Sequence, residues 1–347
     1  MVEERENIML KSFIKNHHTI SIIGTAKNVG KTTVLNQIIK EYKGIKMGIT
    51  SIGLDGEKVD SLSYKPKPRI MVHKNMLIAT AKNCLKQCYF EYEILEETDI
   101  RTGLGNIVVI EVMSSGLALV AGPSTNHEML QITALLYKNG VEKIFIDGAL
   151  FRKSIASFNI SDAVIFSTGA SYSISLEDVV NDTVALVENF NLRTIDEQAV
   201  RIAKSHKNFK VAIMDADFIV TPLKIDSVAG NEEYIIEQIK MLTKAVYING
   251  AFTSNFVKHL INKRHEIERL TIVINDASQL LMEPSEIISL RKMNIDLRVV
   301  NRIEVIALTY NPYSPSGYSF DDEEFRSRLQ EKVELPVINV LKRNEVR

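Results

Sequence analysis

Residues Gly24–Thr33 read GTAKNVGKTT, and this stretch decides how the rest of the chain is read. It satisfies the phosphate-loop pattern G-x-x-x-x-G-K-[ST], with Gly24, Gly30, Lys31 and Thr32 in the fixed places. Thr19–Ile23 is a β-prone run, so the loop is expected to leave a strand. Val34–Tyr42 has apolar residues at helical spacing, so the loop is expected to enter a helix. Backbone N–H groups at such a helix start point at anionic oxygens, and the helix dipole favours negative charge there. The expected nucleotide cradle is therefore Gly24, Thr25, Lys27, Asn28, Val29, Gly30, Lys31, Thr32 and Thr33. In it Lys31 contacts the β/γ-phosphates and the Thr32 hydroxyl ligates Mg²⁺. Lys27 adds a second positive charge beside the phosphates or stays solvated.

At 347 residues the chain can hold one large α/β unit or two lobes with separate cores. Its 45% hydrophobic and 24% charged residues are ordinary for a soluble globular protein. A net charge of −1 supplies no global field to recruit nucleic acid or an anionic membrane. The acidic N-terminus lacks the apolar core of a secretory signal, and no apolar run is long enough to span a bilayer. Cys84 and Cys88 are too few for a disulfide framework and lack metal-ligating neighbours. A reduced, cytoplasmic compartment is expected.

Strand and helix signals alternate, which predicts an α/β fold with a largely parallel sheet flanked by helices. Strands are expected over 45–52, 141–146, 163–167, 211–214, 245–248, 270–274, 297–300, 305–310 and 337–341. Helices are expected over 77–87, 125–138, 176–190, from 253 or 254, and over 322–332. Residues 61–70 read as a loop. Residues 107–120 fit either a strand running into a loop or a hairpin turning at Ser114-Ser115-Gly116. The polar stretch 191–197 suggests a nucleotide-binding domain over 1–192. A C-terminal α/β lobe would follow over 193–347, either separate or continuous with the first sheet.

Phosphoryl transfer depends on positioning and charge neutralisation, so Mg²⁺ needs an acidic partner at a strand end near the loop. Asp147 follows the apolar run Lys143–Ile146 and Glu111 follows Ile107–Ile110. A hairpin over 107–120 would leave Glu111 in mid-strand, so Asp147 is preferred and Glu111 is kept as a rival metal ligand. Asp55 and Glu57 follow the second strand, where switch-type contacts to Mg²⁺ or water arise, with a cap or exposed loop as the alternative. Lys31, Asp147 and Asp55 are the catalytic candidates. Arg152 and Lys153 could reach phosphate or be plain surface charges. Asn311-Pro312 and Thr168-Gly169 are candidates for reading the base. The chain has no Asn-Lys-x-Asp motif for guanine, so ATP is preferred.

The loop resembles those of the dethiobiotin synthetase and molybdopterin-guanine dinucleotide accessory-protein kind of P-loop NTPases. Further runs narrow the resemblance: ITSIGLDGEKVD at 49–60, KPKPRI at 65–70, IDGALFRKSIAS at 146–157, SDAVIFSTGAS at 161–171 and TYNPYSPSG at 309–317. Together they resemble the ATPase subunit of the lysine 5,6-aminomutase reactivase of lysine-fermenting anaerobes. That resemblance implies an ATP- and Mg²⁺-dependent factor that restores an adenosylcobalamin- and pyridoxal-phosphate-dependent aminomutase by exchange of damaged cobalamin. It also implies two partners, the aminomutase and a second reactivase subunit similar to mismatch-repair ATPases. A homodimer is left open. The alternative is an ATP-dependent small-molecule ligase or kinase of the dethiobiotin synthetase type. Against it, Ala26-Lys27-Asn28 stands where that enzyme's loop is acidic, and Val112-Met113 rather than glycine follows Glu111.

Overall fold

The computed structural model describes residues 10–52, 69–150, 160–196, 199, 208–339 and 341. The first stretch of the chain runs α1 (Leu10–Ile14), β1 (Thr19–Gly24), α2 (Lys31–Glu41), β2 (Met47–Ser51), β3 (Ile70–Val72) and β4 (Leu77–Ala81). It continues with β5 (Tyr92–Thr102), β6 (Gly105–Val112), β7 (Gly116–Ala118), α3 (Asn126–Lys138), β8 (Lys143–Leu150), β9 (Ala163–Gly169) and α4 (Leu176–Phe190). Then come β10 (Val211–Asp215), β11 (Val220–Pro222), α5 (Glu232–Gln238), β12 (Thr243–Ile248), β13 (Phe252–Thr253), α6 (Ser254–Asn262) and β14 (Leu270–Ile274). The last elements are β15 (Leu280–Leu281), α7 (Pro284–Lys292), β16 (Ile295–Val299), β17 (Glu304–Asn311), α8 (Asp322–Gln330) and β18 (Val337–Asn339).

The chain divides into two compact units. One comprises Met1–Val184 with Glu304–Arg347, the other Ala185–Ile303. The divisions thus fall after Val184 and Ile303 rather than at 192, and the C-terminal β17 and β18 belong to the first sheet.

The first unit is built on a nine-stranded sheet of order β18-β17-β9-β1-β8-β2-β4-β6-β5. Strands β18 through β4 pair in parallel, and β6 and β5 extend the sheet antiparallel. The α/β architecture with a large, mostly parallel sheet is as expected. Parallel strands covered on both faces read as continuous apolar runs, and β1 and β9 are buried throughout. Successive residues of β8 serve opposite faces: Phe145 joins the core under Val34, Leu35, Ile38 and Ile39 of α2. Ile144 and Ile146 join the core under Met129, Ile132 and Leu136 of α3. Thr125 caps α3, its Oγ1 accepting the Glu128 N–H at 3.3 Å.

Two expectations are corrected here. Residues 77–87 do not form a helix: Leu77–Ala81 is the buried strand β4, followed by a 3₁₀ turn over Lys82–Gln87 carrying Cys84. A short apolar run satisfies both periods, and burial between two strands decides for β. Within 107–120 there is no hairpin at 114–116. Strand β6 pairs with β5 and β4, while β7 crosses to pair with β3.

The second unit holds a five-stranded sheet, β11-β10-β12-β14-β16, in which β12, β14 and β16 run parallel and β10 and β11 antiparallel. Ala212, Ala245, Tyr247 and Val273 form a buried cluster. Helix α6 buries Phe256, Val257 and Leu260.

Candidate functional site

Strand β1 ends at Gly24 and α2 begins at Lys31, so the quoted loop spans the C-terminal edge of the parallel strands. Two left-handed residues shape it, Asn28 at φ 62° and Gly30 at φ 97°. Gly30 is the residue just before the helix and can hold that angle because it lacks a Cβ. Gly24 serves a different need. A Cβ there would lie 2.7 Å from Val29 Cγ2 and 3.1 Å from Lys31 Nζ. The missing side chain is the space that Lys31 crosses. Its ammonium then donates to the Ala26 carbonyl at 2.8 Å.

The neighbouring strand ends brace the loop. The Thr25 N–H donates to the Ser167 carbonyl at 3.0 Å, at the end of β9. The Asn28 carbonyl accepts from Asn311 Nδ2 at 3.0 Å and from Ser171 Oγ at 3.3 Å. Val29 is buried and pins the middle of the loop. Thr168 and Asn311, singled out for base reading, therefore lie beside the loop. The bracing role of Asn311 was not visible in sequence, because it needs β17 to return alongside β9.

Asp147 approaches from β8. It pairs in register with Ile22 of β1 and Ser51 of β2. The register then shifts, Ile23 facing Ala149, with Gly148 at φ 103° as the extra residue. Such a bulge re-aims a side chain at a strand end. The Asp147 carboxylate accepts hydrogen bonds from the Gly148 N–H and the Thr32 hydroxyl. Its Oδ1 atom, shut off from water, accepts none among the described residues. Burial pushes Asp147 above the usual carboxylate range, with the Lys31 charge and the two hydrogen bonds opposing. Lys31 is the reciprocal case: burial lowers its ammonium to about 8, Asp147 opposing and Lys27 adding to the fall. Lys31, Thr32 and Asp147 thus form one cluster whose charges are poorly solvated.

Glu111 is not brought to this cluster. It faces Leu77, the first residue of β4, and Leu77 lies in the row of Gly48 and Ile144 at the opposite, N-terminal side of the parallel strands. It also stands three strands from β8, roughly 14 Å across the sheet. Asp55, Glu57, Arg152 and Lys153 lie outside the described residues. Lys27 is exposed, and Thr25 and Thr33 are half-buried.

The fit to a divalent cation can be judged from the donors. A carboxylate oxygen without a partner and a threonine hydroxyl are hard oxygen ligands of the kind Mg²⁺ takes. No cluster of three or more histidine, cysteine or acidic residues forms a metal site among the described residues. No helix among them is long and apolar enough to cross a membrane. No protein-family model, no curated protein and no solved structure matches the chain.

Proposed function

We propose that the chain is a P-loop nucleotide hydrolase that binds ATP at Gly24–Thr33 with Mg²⁺ and uses its turnover to act on a protein. The observation that carries this reading is the convergence of Lys31, Thr32 and the unpartnered Asp147 oxygen at the loop. Thr32 and Asp147 would hold Mg²⁺, which when bound offsets charge on the phosphates. Lys31 would exchange the Ala26 carbonyl for phosphate oxygens, regaining full protonation against an anion. The N–H groups at the start of α2 face the same region and favour negative charge. Asn311 and Ser171 hold the loop in shape before nucleotide arrives, so little ordering remains for the binding step.

The finer reading is a reactivating ATPase for an adenosylcobalamin-dependent lysine 5,6-aminomutase, working with a second, mismatch-repair-ATPase-like subunit. The sequence runs at 49–60, 65–70, 146–157, 161–171 and 309–317 support it. Coupling requires different affinity for the aminomutase in the two nucleotide states, because equal affinity shifts nothing. The test is recovery of inactivated aminomutase with ATP, Mg²⁺, adenosylcobalamin and the second subunit. Recovery should depend on this chain and be lost with Lys31→Ala. Hydrolysis stimulated by a small metabolite, with no effect of the aminomutase, would point instead to a ligase or kinase.

A further inference from the structure

The second unit carries two neighbouring turns whose outermost residues are large and apolar. In the hairpin between β10 and β11, the Asp215 N–H donates to the Ile219 carbonyl at 3.1 Å and the Phe218 N–H to the Asp215 carbonyl at 3.3 Å. Ala216, Asp217 and Phe218 therefore form a three-residue loop. The last residue of such a loop sits in the left-handed region and is normally glycine. Here it is Phe218, at φ 62°. The other non-glycine residues with positive φ among those described are all asparagine, Asn28, Asn75 and Asn294, which tolerate that region. A bulky aromatic does not, and strain of this kind persists where the side chain has a use. Packing within the unit is not that use, since Phe218 is 67% exposed and Ile219 60%.

The second turn lies alongside. Asp215 pairs with Thr243 across β10 and β12. The Thr243 N–H donates to the Lys240 carbonyl at 2.9 Å and the Lys240 N–H to Thr243 Oγ1 at 2.9 Å. This closure pushes Met241 and Leu242 outward, 70% and 66% exposed. Turn corners ordinarily carry Gly, Pro, Asn, Asp or Ser. Two adjacent turns of one sheet end thus present four large apolar side chains to solvent.

We infer that this apolar end is a docking surface for a second copy of the chain. Charge complementarity within the patch favours a self-pairing partner. Asp217 stands at the apex of one turn, while Lys240 and Lys244 flank the other, all three exposed. A two-fold arrangement sets each copy's Asp217 against the other's lysines, as an isologous interface requires. The largest apolar patch on a typical monomer covers roughly 300–600 Å². Two such patches facing across a two-fold would bury roughly 600–1,200 Å², at or below the low end of specific interfaces. A reversible dimer follows rather than an obligate one.

The test uses the purified full chain in sedimentation velocity and light scattering over roughly 1–100 µM. Wild type is expected to move reversibly from monomer to dimer. Phe218→Gly is expected to weaken dimerisation at least about tenfold while melting at the same temperature or higher, because glycine relieves the left-handed strain. Leu242→Ser should weaken it without raising the melting temperature. Asp217→Lys should weaken it, and adding Lys240→Glu and Lys244→Glu should restore it. Three outcomes overturn the inference: wild type monomeric throughout, Phe218→Gly dimerising as tightly as wild type, or Phe218-dependent binding to phosphatidylserine vesicles by a monomer.

Discussion

The side-chain amide of Asn311 donates to the main-chain carbonyl of Asn28 at 3.0 Å, joining residues 283 positions apart in sequence. Asn28 is one of the loop's two left-handed residues, and its peptide must be held for the following N–H groups to converge. Asn311→Ala removes the amide donor but leaves Ser171 on the same carbonyl. The expected loss is about 0.5–1.5 kcal/mol in folding stability. Nucleotide affinity should fall by roughly fivefold, since about 1 kcal/mol of pre-ordering is lost. Thermal melting and equilibrium nucleotide titration check both, and an unchanged affinity would remove Asn311 from the site.

Lys143 makes a separate stability prediction, away from nucleotide. Its buried ammonium donates to the carbonyls of Ile14, at 3.3 Å, Lys15, at 3.1 Å, and His17. It also lies 5.8 Å from the Tyr42 ring centroid. It therefore closes the end of α1 onto the start of β8. Lys143→Met keeps the aliphatic stem but strands those acceptors. The expected destabilisation is about 1–3 kcal/mol, read by denaturant unfolding, with nucleotide affinity unchanged. A variant as stable as wild type would show that water satisfies the carbonyls equally well.

Where a segment's pattern and its surroundings agree, the fold was legible. The strand 19–23, the helix entered after Lys31 and the helix 176–190 all have apolar periods matching the faces they bury. Residues 77–87 misled because five apolar or small residues in a row fit a helix and a doubly covered strand alike. Only β2 and β6 on either side decide. The strand Tyr92–Thr102 was missed because it lies at the sheet edge and is rich in glutamate, with only Leu95 and Ile100 packing against the core to mark its inner face. The return of β17 beside β9 is a long-range pairing with no local trace. At the site, Lys31, Thr32 and Asp147 were visible from motif and strand end. The bulge at Gly148 that turns Asp147 toward Thr32 was not, because a glycine after a strand reads simply as its end.

The low proton affinity of Lys31 makes nucleotide binding depend on pH in a defined direction. Its ammonium is lowered to about 8, chiefly by burial. Phosphate oxygens favour the charged form and raise that value in the complex. Binding near pH 8 should therefore take up part of a proton. Affinity should be flat below about pH 7 and weaken above about 8, by up to roughly tenfold per pH unit. Calorimetry in buffers of different ionisation enthalpy measures the uptake. Lys31→Ala should bind weakly, lose hydrolysis and show neither effect. Wild type at ~100 times its Kd should gain roughly 2.7 kcal/mol of stability from nucleotide, a shift the variant should lack. Proton release on binding would contradict the assignment.

Asp147 and Glu111 are separated most sharply by removing charge while keeping shape. Asp147 sits beside Thr32, with one buried oxygen lacking any partner among the described residues and burial opposing its ionised form. Asp147→Asn removes a poorly solvated charge but also the counter-charge of Lys31, so its metal-free stability is read alongside turnover. It should cut Mg²⁺-dependent hydrolysis by at least about 10²-fold, since charge neutralisation at the phosphates is what the site supplies. Nucleotide binding without Mg²⁺ should survive, which separates loss of the metal site from loss of the loop. Glu111→Gln should alter neither turnover nor its Mg²⁺ dependence, because Glu111 faces Leu77 at the far side of the sheet. Steady-state hydrolysis titrated with Mg²⁺ decides between them. A normal Mg²⁺ response in Asp147→Asn would show that another carboxylate holds the metal. A loss in Glu111→Gln at unchanged stability would move the site to the opposite edge.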